Sequence, residues 1–439
     1  MIGFVGLSHL GLVSSIAVAS KGFEVVGFHP DKQLIDDLNA GRLPVYEPGL
    51  AELLANSRHR IEFSEDINTL KRCKVVYFSL DVPTDANNNS DLSAFDEMIE
   101  QLLLHVSSGT TLVILSQVPP GYTRRWAQRL EQENAGRNLT LFYQVETLIF
   151  GRAVERALEP ERYIVGCLEP ARELPPAYAA LLDAFGCPVF KMRYESAELS
   201  KISINMCLVS SVTTANTLAE ICEAIGADWS EIVPTLRLDK RIGKYAYLAP
   251  GLGIAGGNLE RDLATIQRLA AEHGSDASIV DAWVAHCRHR RDWVLRLLAR
   301  EIFSKNADPT IAIWGLAYKQ DTKSTKNSPA LFLLESLKAF AVRVYDPQVT
   351  LPSSCLAGRQ NTEKKIVQTG SALEACRGAD VLVVMTPWKE FFTIDPCDIA
   401  NALRGRVIID PLACIQSHAW RDLGVSYHRL GTSNSREAA

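Results

Sequence analysis

With 439 residues the chain is about three times the ~150 residues of a typical domain, so two or three domains are expected. Hydrophobic residues at 47% and charged residues at 22% are the proportions of a globular protein and exclude global disorder. The 46 Lys+Arg against 51 Asp+Glu, with no block of like charge, leave no electrostatic footprint for nucleic acid.

The pattern begins strand, helix, strand: Ile2–Val5, then Leu10–Ala19, then Phe23–Phe28, a βαβ unit. Neither a basic leader nor an apolar run of about 18 residues is present, so no secretion signal or membrane span is expected, and the location expected is cytoplasmic. Buried-strand runs follow at Val75–Phe78, Thr111–Leu115, Leu141–Tyr143 and Tyr163–Val165, as a doubly wound parallel sheet requires. From Ala197 to Ala227 the turn signals vanish and apolar residues recur at helical spacing, which predicts one long helix of about eight turns. The turn-rich PGLGIAGGN comes next, then helical sequence over Arg261–His273 and Ile279–Phe303. At Thr310–Gly315 the strand and glycine turn recur, continued by Arg343–Tyr345, Val381–Val384 and Val407–Ile409. The fold class expected is α/β: two Rossmann-like doubly wound parallel-sheet domains, 1–190 and 301–430, joined by a central helical region, 191–300. From Leu430 on little can be buried, and 431–439 reads as a mobile tail.

Ten cysteines are scattered without a CxxC pair, which argues against zinc ribbons and a disulfide framework; most read as small buried hydrophobes. His286 and His289 stand i, i+3 but have no third ligand at metal-site spacing, so no metal is expected.

Gly6-Leu7-Ser8-His9-Leu10-Gly11 follows a strand and opens a helix, where backbone N–H groups and the helix N-terminus can face a pyrophosphate. It is an imperfect GxGxxG, because Ser8 takes the glycine that lets the backbone approach the phosphates. The end of the second strand ordinarily carries an acid for the ribose hydroxyls; here it reads Phe28-His29-Pro30-Asp31. Either Asp31 has taken over, or His29 favours a 2′-phosphate and hence NADP, or dinucleotide binding has weakened.

Nine strings in order then resemble the UDP-glucose/GDP-mannose dehydrogenase family, which oxidises nucleotide sugars to uronic acids. They are LNAGRLPVYEPGLAELL (38–54), DVPTDANNNSDLS (81–93), SQVPPGYTR (116–124), ERALEPERYIVG (155–166), AELSKISIN (197–205), KRIGK (240–244), PGLGIAGGNLERD (250–262), GLAYKQDTKSTKNSPAL (315–331) and VYDP (344–347). The resemblance runs nearly end to end. It implies NAD as cofactor, with NADP as the alternative, a nucleotide sugar such as UDP-glucose as substrate, and a homodimer in which the arginine matching Arg241 reaches the neighbour's sugar-nucleotide site. The cofactor-binding positions it implies are Gly6, Ser8, His9, Leu10, Gly11, His29, Asp31, Gln117, Arg261 and Lys326.

Oxidising an alcohol to an acid takes two hydride transfers, and the family holds the aldehyde between them on a cysteine thiolate. The family's stretch ends Cys-Phe-x-Lys-Asp; this chain ends Asn258-Leu259-Glu260-Arg261-Asp262, so Asn258 occupies the cysteine position. An amide is not a nucleophile at neutral pH. Cys207, two residues after Asn205 and about 200° round the helix, points away and does not substitute. Phe150 replaces a glutamate expected after the retained Glu146, Gln117 a threonine, and Arg261 a lysine. On the cofactor side Val82 replaces a threonine, Leu34 a lysine and Lys326 an arginine whose bidentate fork Lys cannot reproduce.

Against those losses Glu146, Lys201, Asn205, Arg241, Gly256 and Asp262 match family residues that bind the sugar nucleotide or handle the proton of the first oxidation. Lys201 and Asn205 stand i, i+4 and share a helix face. With Asp262, Lys201 can lower the cost of an alkoxide or organise a water as base. The expectation is a divergent nucleotide-sugar oxidoreductase that stops after two electrons; the alternative is a non-catalytic binding or partner-subunit paralogue.

Overall fold

The computed structural model describes residues 1–85, 88–352 and 366–433. These fall into two compact units that divide between Ile204 and Asn205.

The first unit is an eight-stranded sheet: β1 (Ile2–Val5), β2 (Val25–Phe28), β3 (Ile61–Ser64), β4 (Val75–Phe78), β5 (Thr111–Ile114), β6 (Thr140–Gln144), β7 (Tyr163–Cys167) and β8 (Val189–Arg193). Its order is β3-β2-β1-β4-β5-β6-β7-β8. β1 lies at the centre, with Ile2 registered against Val25 on one side and Val75 on the other. Every residue of β1, β2, β4 and β5 is buried, because helices cover both faces of a parallel sheet and each strand alternates its side chains between them. Ile2 and Phe4 join Leu12, Ile16 and Leu181 on one face. Val5 joins Phe95, Ile99 and Trp126 on the other. The first six strands follow the order of a dinucleotide-binding fold. β7 departs from the all-parallel expectation: it runs antiparallel to β6 and carries β8 beside it as an added parallel pair.

The second unit repeats the winding. β9 (Thr310–Trp314), β10 (Ala341–Tyr345), β11 (Ile366–Gln368), β12 (Val381–Val384), β13 (Val407–Ile409) and β14 (Ser426–His428) form a sheet in the order β11-β10-β9-β12-β13-β14. All its pairs are parallel. Leu252, Trp293, Val294 and Leu298 pack into the same apolar core as these strands, so much of the sequence expected to form a central region is built onto the second sheet.

The long helix runs Tyr194–Ile225, starting directly after β8 and ending before Gly226, whose φ of 80° stops it. At 1.5 Å per residue its 32 residues span about 48 Å.

The expected tail is corrected at its start. Leu430 is buried, Gly431 accepts from the Trp229 amide at 2.9 Å and donates to Glu223 at 2.9 Å, and Thr432 bridges to Asp228. One leucine and two backbone groups suffice to hold this segment, which a count of apolar residues does not register. Residues 434–439 lie outside the described residues.

Candidate active site

Each unit gathers part of the expected site. In the first, Gly6 follows β1 with φ 91°, and a Cβ there would stand 2.9 Å from the Leu80 backbone. At Gly11 a Cβ would lie 1.9 Å from the Gly6 carbonyl oxygen, so the helix His9–Ser20 approaches the loop as closely as only glycine permits. Ser8 is the N-cap residue, yet no side chain caps this helix; the Ser8 hydroxyl donates instead to Asp81 at 2.8 Å. Leu10 is half-buried against the apolar core.

His9 turns away from the loop. Its Nε2 meets Glu47 Oε1 at 2.7 Å, its ring packs at a tilt against Phe150 with centroids 4.1 Å apart, and the buried Glu47 carboxylate also accepts from the amide of Gly151 at 3.0 Å. Phe150 therefore presents a phenyl ring where the resemblance expects a carboxylate.

After β2, His29 Nδ1 accepts from the Asp31 amide at 3.1 Å. Burial holds the imidazole below its ordinary pKa, opposed by the Asp31 charge. Asp31 caps the helix Lys32–Asn39, its Oδ1 accepting from Gln33 at 2.9 Å and Leu34 at 3.3 Å, which commits one carboxylate oxygen to the fold.

Glu146 follows β6 and lies 3.5 Å from the Lys201 ammonium, both largely enclosed. Glu198, one turn before Lys201, is buried and accepts from the amides of Gly121 at 2.6 Å and Thr123 at 2.8 Å. Burial pushes its carboxyl up to about 7. It fastens the helix that bears Lys201 to the turn that follows the half-buried Gln117.

In the second unit the Asn205 amide donates to Asp262 Oδ2 at 2.5 Å, and Arg261 Nε lies 3.5 Å from Asp262 Oδ1; all three are buried. Asn258 is exposed at the first position of the helix Asn258–His273, which also has no side-chain cap. Gly256, φ 88°, donates to the Lys326 carbonyl at 3.1 Å and accepts from Asn327 Nδ2 at 2.9 Å, and a Cβ on it would press to 3.1 Å from the Tyr318 ring. This brings Lys326 beside the glycine stretch. Arg241 joins none of these groups: its side chain is 89% exposed and bonds Asp239 at 2.6 Å.

Two of the described cysteines lie near these groups. Cys207 is exposed while Asn205 is buried, in keeping with opposite helix faces. Cys287 lies behind Gly253 but is buried, and burial pushes its thiol up, the reverse of what a thiolate needs. His289 pairs with Glu220 at 2.8 Å.

The sequence matches three descriptions of one family: the NAD binding domain of the UDP-glucose/GDP-mannose dehydrogenase family over residues 1–182, its central domain over 195–286 and its UDP binding domain over 312–417. The chain belongs to the UDP-glucose/GDP-mannose dehydrogenase family. A putative UDP-glucose 6-dehydrogenase, YtcA, of Bacillus subtilis is 28% identical over 412 residues, covering 92% of this chain and 94% of that protein. A UDP-glucose 6-dehydrogenase of Rickettsia bellii is 28% identical over 447 residues, covering 98% and 99%. The UDP-D-ManNAc dehydrogenase structure from Pyrococcus horikoshii matches with a TM-score of 0.83 at 24% identity, over 99% of this chain and 100% of that one. A UDP-glucose dehydrogenase from Pyrobaculum islandicum matches at 0.78 and 23%, over 93% of each chain. These structures share the fold.

NAD is the cofactor of this dehydrogenase family, and the backbone after β1 has the form such a group needs: Gly6 and Gly11 approach closely and the helix end carries no side-chain cap. Among the described residues no helix is long and apolar enough to cross a membrane.

Sequence reading missed Asp81, Glu47 and Glu198 as members of these clusters. Glu198 sits inside the quoted AELSKISIN string, one turn from Lys201, and that spacing was the available signal. Asp81 and Glu47 lie 73 and 38 residues from their partners, with no local pattern to expose them.

Proposed function

We propose that this member of the dehydrogenase family performs one two-electron oxidation of a nucleotide sugar, taking a carbinol to the aldehyde or ketone and stopping there. The observation that carries the reading is Asn258, exposed at the start of its helix, at the position where the resemblance expects a cysteine. Its amide forms no thiohemiacetal with an aldehyde, and Phe150 supplies no carboxylate to activate water for hydrolysis.

The chemistry for the first step is retained. NAD, when held at the glycine loop of Gly6 and Gly11, would supply the acceptor for the hydride that leaves the carbinol carbon. The hydroxyl proton must leave with it, and Lys201 supplies the positive charge that favours an alkoxide or an oriented water. Glu146, 3.5 Å from that ammonium, holds the lysine in place. In the second unit Asn205 and Arg261 orient the Asp262 carboxylate, leaving it an acceptor held in one place. One carbinol and one NAD⁺ yield one carbonyl, one NADH and one proton.

Incubation with NAD and a panel of UDP- and GDP-sugars, with aldehydes trapped by hydroxylamine and NADH counted, is expected to give one NADH per sugar. Lys201→Ala is expected to reduce that rate at least a hundredfold. Two NADH per sugar with stoichiometric uronic acid overturns the reading.

A second reading, a nucleotide-sugar-binding paralogue without turnover, is favoured by the Asp81 carboxylate lying against the glycine loop. Saturable NAD reduction that is lost in Lys201→Ala excludes it. The exposure of Arg241 supports a homodimer in which that arginine serves a second copy, and sedimentation of the full chain tests it.

A further inference from the structure

The loops after β1 and β4 interlock. Ser79 Oγ donates to the carbonyls of Val5 at 3.0 Å and Gly6 at 2.9 Å, and the Leu80 backbone closes on Gly6 so tightly that a Cβ there would stand 2.9 Å away. The next residue, Asp81, receives the hydroxyl of Ser8 at 2.8 Å. Ser8 is the middle position of the fingerprint, where backbone approaches the diphosphate of a dinucleotide. The helix behind it has no side-chain cap, and its N-terminus attracts negative charge. The protein has thus placed a carboxylate of its own within one hydrogen bond of the point where a diphosphate must arrive.

We propose that Asp81, held against the glycine loop by Ser8, is an affinity-lowering residue that keeps dinucleotide binding weak. A diphosphate entering this cradle meets two obstacles. The Ser8 hydroxyl is already donated to Asp81, and the Asp81 charge repels a second anion at the same helix end. Ser79 and Leu80, bonded to and packed on Gly6, hold the backbone from which Asp81 extends. His9, the next side chain along, is committed to Glu47 and packed against Phe150.

The inference rests on the NAD reading of this loop, and the test separates the two. Calorimetry on the full chain would measure NAD, ADP-ribose and adenosine against wild type, Asp81→Asn and Ser8→Gly, with melting temperatures recorded. Asp81→Asn is expected to bind NAD and ADP-ribose about three- to tenfold more tightly, the scale of a charge at a helix end, with the gain shrinking at 0.5 M salt. Adenosine, which carries no phosphate, is expected to bind all three proteins alike. Ser8→Gly is expected to shift affinity in the same direction, and the gains in the double variant to be less than additive because both act through one contact. Unchanged or weaker NAD binding in a stably folded Asp81→Asn protein, or fully additive gains, overturns the proposal. If adenosine still binds in that case, the dinucleotide reading stands without it; absence of binding by all ligands to all variants overturns both.

Discussion

Two glycine turns occupy equivalent places in the two sheets and have opposite fates. Gly6 follows β1 with φ 91°, and Gly315 follows β9 with φ 94°. After Gly6 a helix starts at His9 with no side chain on its N-terminus; after Gly315 the next helix starts only at Pro329. The residue after β10 is Asp346, buried, and its Oδ2 accepts from the amides of Leu316 at 2.7 Å and Ala317 at 3.1 Å and from Trp388 Nε1 at 3.0 Å. Its Oδ1 accepts from Gln348 and Val349, both at 2.8 Å. The residue after β2, in the corresponding place, is His29. The acid that marks ribose binding thus occurs in the unit where it is folded into the loop, and is missing from the unit described as NAD binding. Carboxylates on glycine turns recur at Glu198 on Gly121 and Glu47 on Gly151. A glycine turn signals an unusual backbone; what its amides face decides whether a ligand can use it.

This contrast can be broken most directly at Asp346. Asp346→Ala removes the acceptor for five donors, and on the order of 4 kcal/mol of stability is expected to go with it, measured by urea unfolding. Retained stability would mean that the second turn is not closed by its own carboxylate. Gly315→Ala forces a Cβ to within 2.4 Å of the Thr386 side chain and is expected to cost about 3 kcal/mol. Gly6→Ala meets the Leu80 backbone at 2.9 Å and is expected to cost about 2 kcal/mol, but unlike Gly315→Ala it should also weaken ADP-ribose binding more than tenfold in protein that remains folded.

The smallest effect concerns Glu198. Its carboxyl titrates at about 7 when folded, against 4.5 ordinarily, so between those pH values the folded chain holds a proton that the unfolded chain has released. Its contribution is greatest below pH 4.5 and declines as pH rises to about 7. Glu198→Gln is expected to flatten that decline in pH-dependent unfolding curves.

The central strands were legible because both sides of β1, β4 and β12 are covered and read as unbroken apolar runs. The strands β3, β8, β11 and β14 were not, because they lie at the sheet edges and mix polar and partly exposed positions with apolar ones. Within the site, the i, i+4 spacing of Lys201 and Asn205 was visible along the chain. The partners that give those residues their setting come from 55 to 57 positions away: Glu146 for Lys201, Asp262 for Asn205. Asp346 lay in the quoted VYDP string, but nothing local shows that its carboxylate faces the glycine turn some 30 residues before it.

The segment Leu430–Thr432 has a consequence for the order of assembly. It joins Glu223, Asp228 and Trp229 across 200 residues and more, with Arg429 adding a bond to Asp228 at 2.8 Å. During synthesis at about 5–20 residues per second, the stretch around Trp229 would wait some tens of seconds before the residues that close over it emerge.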